Sequence, residues 1–337
     1  MKTVLVTGGA GYIGSHTCVE LIQKGYHVIV VDNFANSVPQ SINRIQKITG
    51  QTVKYYQASL QDAAALSQIF QHHQIDWVIH FAGFKAVGES VREPLKYYDN
   101  NVGGTLVLLR VMQQYGCKKM VFSSSATVYG EPERLPLTED CRLHTTNPYG
   151  TTKLVIENIL RDLHQADPSW CLVILRYFNP VGAHQSGLLG EDPRGEPNNL
   201  TPYIAQVATG QRPYLRVYGN DYDTPDGTGV RDYIHVCDLA TGHVQALEKI
   251  TNNGLYTYNL GTGKGSSVLD VLHAFEKAVG HPLAYRIEAR RPGDIATCYA
   301  DVCKAQKELG WHAVYDLDAM CRSLWQFYSQ NPHGYRE

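Results

Sequence analysis

The stretch Val4-Leu5-Val6-Thr7-Gly8-Gly9-Ala10-Gly11-Tyr12-Ile13-Gly14 decides the fold. A short apolar run breaks at a glycine-rich turn, and the residues that follow, as far as Lys24, carry a helical pattern ended by Gly25. Glycine at 8, 11 and 14 permits a tight turn, close approach of backbone to a pyrophosphate, and close helix packing, while the helix N-terminus offers free N–H groups to phosphates. A glycine turn alone is weak evidence. Here Asp32 ends the next apolar run, 18 residues beyond Gly14, where a carboxylate accepts hydrogen bonds from an adenosine ribose diol and repels a 2′-phosphate. The segment therefore predicts a dinucleotide site that takes NAD rather than NADP.

Working outward, β-rich runs recur between helix-compatible stretches at residues 28–31, 53–56, 77–81, 120–122 and 172–175. Their apolar character is continuous rather than alternating, as expected of strands covered on both faces. This predicts an α/β fold, a Rossmann-type doubly wound parallel sheet over residues 1–178. After Asn179-Pro180 the texture becomes rich in Gly, Pro and Asn, then mixed. A smaller C-terminal α/β domain that binds the substrate is expected over residues 179–337. No internal repeat interrupts the chain.

Composition narrows the partners. With 337 residues, 43% hydrophobic, the chain can bury one large core or two modest ones. It has 30 basic and 32 acidic residues, a formal charge of −2 without long runs of one sign. Nothing here recommends nucleic acid or an anionic membrane as a partner. The eight cysteines are scattered without CxxC pairs, which reads as reduced thiols in a cytoplasmic protein with no metal site. The N-terminal apolar stretch is too short for a signal peptide, and no segment approaches the roughly 20 apolar residues of a membrane span.

The chemistry is read from two places. Tyr149 and Lys153 follow Pro148, which suits the first turn of a helix, and their i, i+4 spacing puts them on one face. A free tyrosine ionises near pH 10, so Tyr149 can serve as a general base only if its phenolate is stabilised; Lys153 and an oxidised nicotinamide are the two cations expected to do so. Ser123-Ser124-Ser125-Ala126-Thr127-Val128-Tyr129-Gly130 directly follows an apolar strand. Hydroxyls at such a strand end fall in the ligand crevice of an open α/β sheet.

With these motifs the chain resembles the extended short-chain dehydrogenase/reductase family, specifically its UDP-hexose 4-epimerase branch, along essentially its whole length. The segments His80–Ser90, Tyr97–Asn101, Arg176–Ala183 and Gly229–Val236 point to that branch. The resemblance implies NAD-dependent interconversion of UDP-glucose and UDP-galactose through a 4-keto sugar, by a homodimer formed through helices near residues 95–115 and 150–165. Tyr149, Lys153 and Ser125 would be catalytic, with Ser125 relaying the proton of the sugar 4-hydroxyl. The cofactor would be lined by Gly8, Gly11, Tyr12, Ile13, Gly14, Asp32, Asn33, Asn36, Ser37, Ser59, Leu60, Phe81, Ala82, Gly83, Lys85, Asn100, Ser123, Tyr149, Lys153, Tyr177 and Phe178. The UDP-sugar would contact Lys85, Ser125, Ala126, Thr127, Tyr149, Phe178, Asn179, Asn199, Leu200, Tyr218, Arg231, Tyr233, Val268, Arg291, Asp294 and Cys298. Guanidinium groups at 231 and 291 suit a diphosphate, which they can grip bidentately.

Two positions depart from the family pattern. Where the family has an acid after the third strand, this chain reads Ala58-Ser59-Leu60, so the adenine amino group is expected to meet a neutral hydroxyl and to be held more weakly. Where members restricted to plain hexoses have tyrosine, this chain has Cys298, a smaller side chain expected to leave room for an N-acetyl group and so to admit UDP-GlcNAc and UDP-GalNAc. Two other readings of the scaffold are set aside on residues. Dehydratases of this family carry a carboxyl pair where this chain has Ala126 and Thr127, and NAD-sensing proteins lose the Tyr–Lys pair that this chain keeps.

Overall fold

A computed structural model describes residues 1–335 apart from 196, 198 and 292. The first half runs β1 (Thr3–Thr7), α1 (Tyr12–Gln23), β2 (His27–Asp32), α2 (Pro39–Thr49), β3 (Lys54–Gln57), α3 (Ala63–His72) and β4 (Trp77–His80). It continues through α4 (Val87–Arg92), α5 (Pro94–Tyr97), a π-helical turn (Tyr98–Gly103), α6 (Gly104–Gln114), β5 (Lys119–Ser125), α7 (Pro148–Ala166) and β6 (Cys171–Tyr177). All six apolar runs of the sequence are strands. Alternate residues of β1 enter opposite cores: Val4 and Val6 join the layer under α1, while Leu5 joins the other with Ile29, Val78 and Leu108. Burial on both faces is what made these runs continuous.

The second half runs β7 (Asn179–Val181), α8 (Leu200–Ala208), β8 (Leu215–Tyr218), β9 (Val230–His235), α9 (Val236–Lys249) and β10 (Gly254–Leu260). It ends with β11 (Gly265–Ser267), α10 (Val268–Val279), β12 (Tyr285–Glu288), β13 (Thr297–Cys298), α11 (Cys303–Leu309) and α12 (Leu317–Gln330). Strand β9 is flanked by β11 and β13 and also pairs with β7, while β8 pairs with β12. Helix α10 begins with a capping box, in which the Ser267 hydroxyl accepts from the Asp270 N–H and the Asp270 carboxylate accepts from the Ser267 N–H. Each bond satisfies an N–H that has no intrahelical partner.

The large sheet has seven parallel strands in the order β10-β6-β5-β4-β1-β2-β3. This corrects the expected boundary at 178, because β10 lies beyond it and completes the sheet against the whole length of β6. Without β10, β6 would present a row of unpaired backbone groups at an edge. The sequence hides this strand: Gly254-Leu255-Tyr256-Thr257-Tyr258-Asn259-Leu260 mixes polar with apolar residues, and only its last three are buried. Strand order reverses between β1 and β4, so a crevice opens at their carboxyl ends, where this class of sheet binds ligands.

Candidate active site

The reversal brings the glycine turn against the end of β4. Gly8 lies in the left-handed region (φ 70°), and a Cβ there would sit 2.8 Å from the Ala82 nitrogen. At Gly14 a Cβ would overlap the Gly8 carbonyl. The backbone packing at these two positions therefore requires glycine. Asp32 is buried at the end of β2, its Oδ2 accepting from Ala10 N (3.0 Å) and its Oδ1 from Phe34 N (2.9 Å) and Ser37 Oγ (2.8 Å). These bonds hold its orientation toward the crevice.

A cavity of about 770 Å³ runs along the strand ends from this turn to Tyr149. Every residue expected to line the cofactor lies on its wall except Ser59, whose oxygen instead accepts from Gln61 N (3.3 Å) within its own turn. A serine commonly closes a turn in this way. Its neighbours Ala58 and Leu60 lie on the wall. The turn, the Asp32 carboxylate and the elongated cavity fit a dinucleotide.

At the far end, β5 splits its serines by strand alternation. Ser123 and Ser125 face the cavity, while Ser124 bonds Glu157 on the other side. Helix α7 starts with Asn147, whose Oδ1 accepts from Gly150 N (2.8 Å), and Pro148 occupies its first turn. That start fixes Tyr149 and Lys153 on the inner face. Lys153 Nζ donates to the Ser123 carbonyl (2.7 Å) and lies 5.0 Å over the Phe122 ring. Burial brings its pKa down to about 8, opposed by the charge of Glu157. Ser125 Oγ accepts from Thr127 N (3.2 Å) and Thr127 Oγ1 (3.0 Å), and the Ser123 hydroxyl meets the Tyr177 hydroxyl.

Tyr149 stands at the inner end of the cavity. Burial raises its pKa above the ordinary value, and a hydrogen bond with Ser125 only opposes that rise. Burial thus favours the neutral phenol, and positive charge beside it favours the phenolate.

Of the residues expected to hold a UDP-sugar, Lys85, Ser125, Thr127, Tyr149, Phe178, Asn179 and Asn199 line the cavity. Ala126, Leu200, Tyr218, Arg231, Tyr233, Val268, Arg291, Asp294 and Cys298 lie off its wall. The small sheet nevertheless gathers several of them: Cys298 is in register with Arg231, and Tyr233 with Asn179. Val268 N donates to Gly229 O (3.2 Å), Leu200 begins α8, and Ala126 begins a turn after β5. The Arg291 guanidinium stacks 4.6 Å over the Tyr218 ring and pairs with Asp294 at 2.9 Å. Cys298 packs with Phe178, Val128 and Ala300 directly behind the cavity wall, and burial pushes its thiol up to about 11.

Two groups escaped the sequence. Glu191 lines the cavity and accepts from Lys85 Nζ (2.7 Å) and Asn199 Nδ2 (2.9 Å). A single acid in a Gly/Pro-rich stretch carries no signal of its own. His80 sits beneath the site between Thr7 Oγ1 (2.7 Å) and Thr105 Oγ1 (2.9 Å), and burial, then the charge of Lys153, lowers its pKa to about 3.

Fold and site together define an extended short-chain dehydrogenase/reductase. A family model described as GDP-mannose 4,6 dehydratase matches residues 5–324. The chain is 60% identical over 334 residues to the UDP-glucose 4-epimerase of Bacillus subtilis, covering 99% of this chain and 98% of that one. It is 58% identical over 336 residues to the UDP-glucose 4-epimerase of Haemophilus influenzae, covering 99% of each. The crystal structure of UDP-glucose 4-epimerase from Bifidobacterium longum in complex with NAD+ and UDP superposes with a TM-score of 0.97 at 60% identity, covering 99% of this chain and 100% of that one. This chain belongs to the UDP-glucose 4-epimerase family.

His80 makes a testable contribution to acid stability. Its folded pKa of about 3 lies below the unfolded value near 6.5, so between those values the unfolded chain binds the extra proton and stability falls as pH falls. In denaturant titrations from pH 6.5 to 4, His80→Asn should show a stability slope shallower than wild type by about 1.4 kcal/mol per pH unit. Equal slopes would mean that the ring is not buried neutral.

Proposed function

We propose that the protein interconverts UDP-glucose and UDP-galactose by oxidising and re-reducing C4 of the sugar, with bound NAD as cofactor. The observation that carries this reading is the placement of Ser125, Tyr149 and Lys153 in one cavity with the glycine turn and Asp32, with no carboxylate among residues 125–127. Asp32 would hold the adenosine ribose, and the turn N–H groups the pyrophosphate. When bound, oxidised nicotinamide supplies the hydride acceptor and a second positive charge that favours the Tyr149 phenolate. Tyr149 then takes the proton of the 4-hydroxyl, directly or through Ser125, and returns it after the ketone has turned its other face. Lys153 holds the helix to the serine strand and keeps a positive charge near the phenol. Elimination, the dehydratase reaction, would need an acid and a base where Ser125, Ala126 and Thr127 stand.

The purified protein, incubated with UDP-glucose without added nucleotide, should form UDP-galactose. Tyr149→Phe should lower turnover by about 10² to 10⁴-fold. Wild-type turnover by the phenylalanine variant would remove the phenol from the mechanism.

The second half, through Arg231 and Arg291 above all, is proposed to grip the UDP while the sugar is left free to turn. Cys298, in register with Arg231 and packed behind Phe178, is proposed to leave space for an N-acetyl group, so that UDP-GlcNAc and UDP-GalNAc are also substrates. Tyrosine at that position would fill the space. Cys298→Tyr should therefore lose UDP-GlcNAc epimerisation and keep UDP-glucose epimerisation. Retention of both activities would remove position 298 from substrate selection.

A homodimer is proposed through α4–α6 and α7. Val87, Val91, Leu95 and Tyr98 expose apolar side chains together there, Leu95 at 81%, and such a patch is typical of a protein interface. Leu95→Glu should sediment as a monomer where the wild type sediments as a dimer; identical sedimentation would place the interface elsewhere. A cytoplasmic location is proposed from the eight free cysteines. Among the described residues no helix is long and apolar enough to cross a membrane.

A further inference from the structure

Behind the catalytic residues lies a charge cluster that the mechanism does not use. Glu157 stands four residues beyond Lys153 on the inner face of α7 and is fully buried. Its Oε1 accepts from Ser124 Oγ (2.6 Å) and Arg176 Nε (2.9 Å), and its Oε2 from Arg176 Nη2 (2.7 Å) and Arg161 Nη2 (2.8 Å). Arg176, 1% exposed, also donates through Nη1 to the Tyr129 hydroxyl (3.1 Å) and the Glu139 carbonyl (3.1 Å). Burial alone would raise the Glu157 carboxyl, yet the Arg176 guanidinium holds it below the usual carboxylate range. The cluster is therefore a true ion pair.

A buried pair of this kind is a poor source of stability, since well-packed apolar side chains do as well or better in its place. Its positions suggest another use. Ser124 lies between Ser123, which receives the Lys153 ammonium, and Ser125, which meets Tyr149. Arg176 directly precedes Tyr177, whose hydroxyl meets Ser123. One carboxylate thus ties together the three elements that carry all the reacting side chains.

We propose that Glu157 is a positioning residue: by binding Ser124 and Arg176 at once, it sets the register of α7, with Tyr149 and Lys153, against β5 and β6. The inference rests on the epimerase reading and names a residue outside its catalytic set. Glu157 also acts on Lys153 through its charge. The titratable groups facing Lys153 are Tyr149 and Glu157 from α7, His80 from β4 and Tyr177 from β6. Of these, Glu157 is the one whose charge favours the ammonium form. Removing that charge lets Lys153 lose its proton at lower pH.

The test uses purified enzyme assayed with UDP-glucose. Wild-type turnover must first be present; its absence would defeat the epimerase reading rather than this one. Glu157→Gln should lower kcat by about 10- to 100-fold, as small displacements of reacting groups do, with KM within about 2-fold of wild type. The alkaline limb of its pH profile should move toward lower pH. Because Glu157→Gln leaves the buried Arg176 without a counterion, which is strongly destabilising, a double variant, Glu157→Met with Arg176→Met, restores an apolar fit. That double variant should melt near wild type yet keep the low kcat and the displaced limb. Ser124→Ala, which leaves no buried charge unpaired, should lose kcat severalfold with KM and limb unchanged. Recovery of wild-type kcat and pH profile in the double variant, or unchanged kcat in Ser124→Ala, would make the cluster merely structural and overturn the proposal.

Discussion

The site depends on an ammonium held almost without water. Lys153 is 6% exposed, and burying such a charge is costly unless hydrogen bonds and nearby charge offset it. The Ser123 carbonyl, the Phe122 ring and the Glu157 carboxylate supply that compensation from a strand below and a helix turn beyond. The same contacts are what lock α7 over the end of β5. Position and charge are therefore one property here: Tyr149 lies beside Ser125 because the lysine four residues on is fastened to the residue two before that serine.

Burial favours the protonated form of Tyr149 and Ser125 opposes that, so positive charge near the ring, from Lys153 and from a bound cofactor, favours proton abstraction. An unliganded enzyme with a permanently ionised phenol would hold a reactive base in an open crevice. Burial works against that state.

What could be read from the sequence was what local geometry encodes. The glycine turn, Asp32 at the end of a strand and the Tyr149–Lys153 spacing each follow from a turn, a strand end or a helical period, and all meet in one cavity. What could not be read depends on partners distant in the chain. The direction of the Ser59 hydroxyl is set by its own turn, and the pairing of Glu191 with Lys85 spans 106 residues. The shift of Tyr149 comes from burial by segments distant in the chain, which no spacing reveals. Strand β10 was missed because an outermost strand carries polar residues where an inner one cannot.

That outermost strand also governs when the molecule can form. Residues 171–177 find their second hydrogen-bonding neighbour only in residues 254–260, after β7, α8, β8, β9 and α9 have been made. A nascent polypeptide that has left the ribosome as far as residue 178 holds six strands and an unsatisfied border, which is prone to capture another chain. Completion of the large sheet is thus delayed until about half of the chain beyond residue 178 has been synthesised.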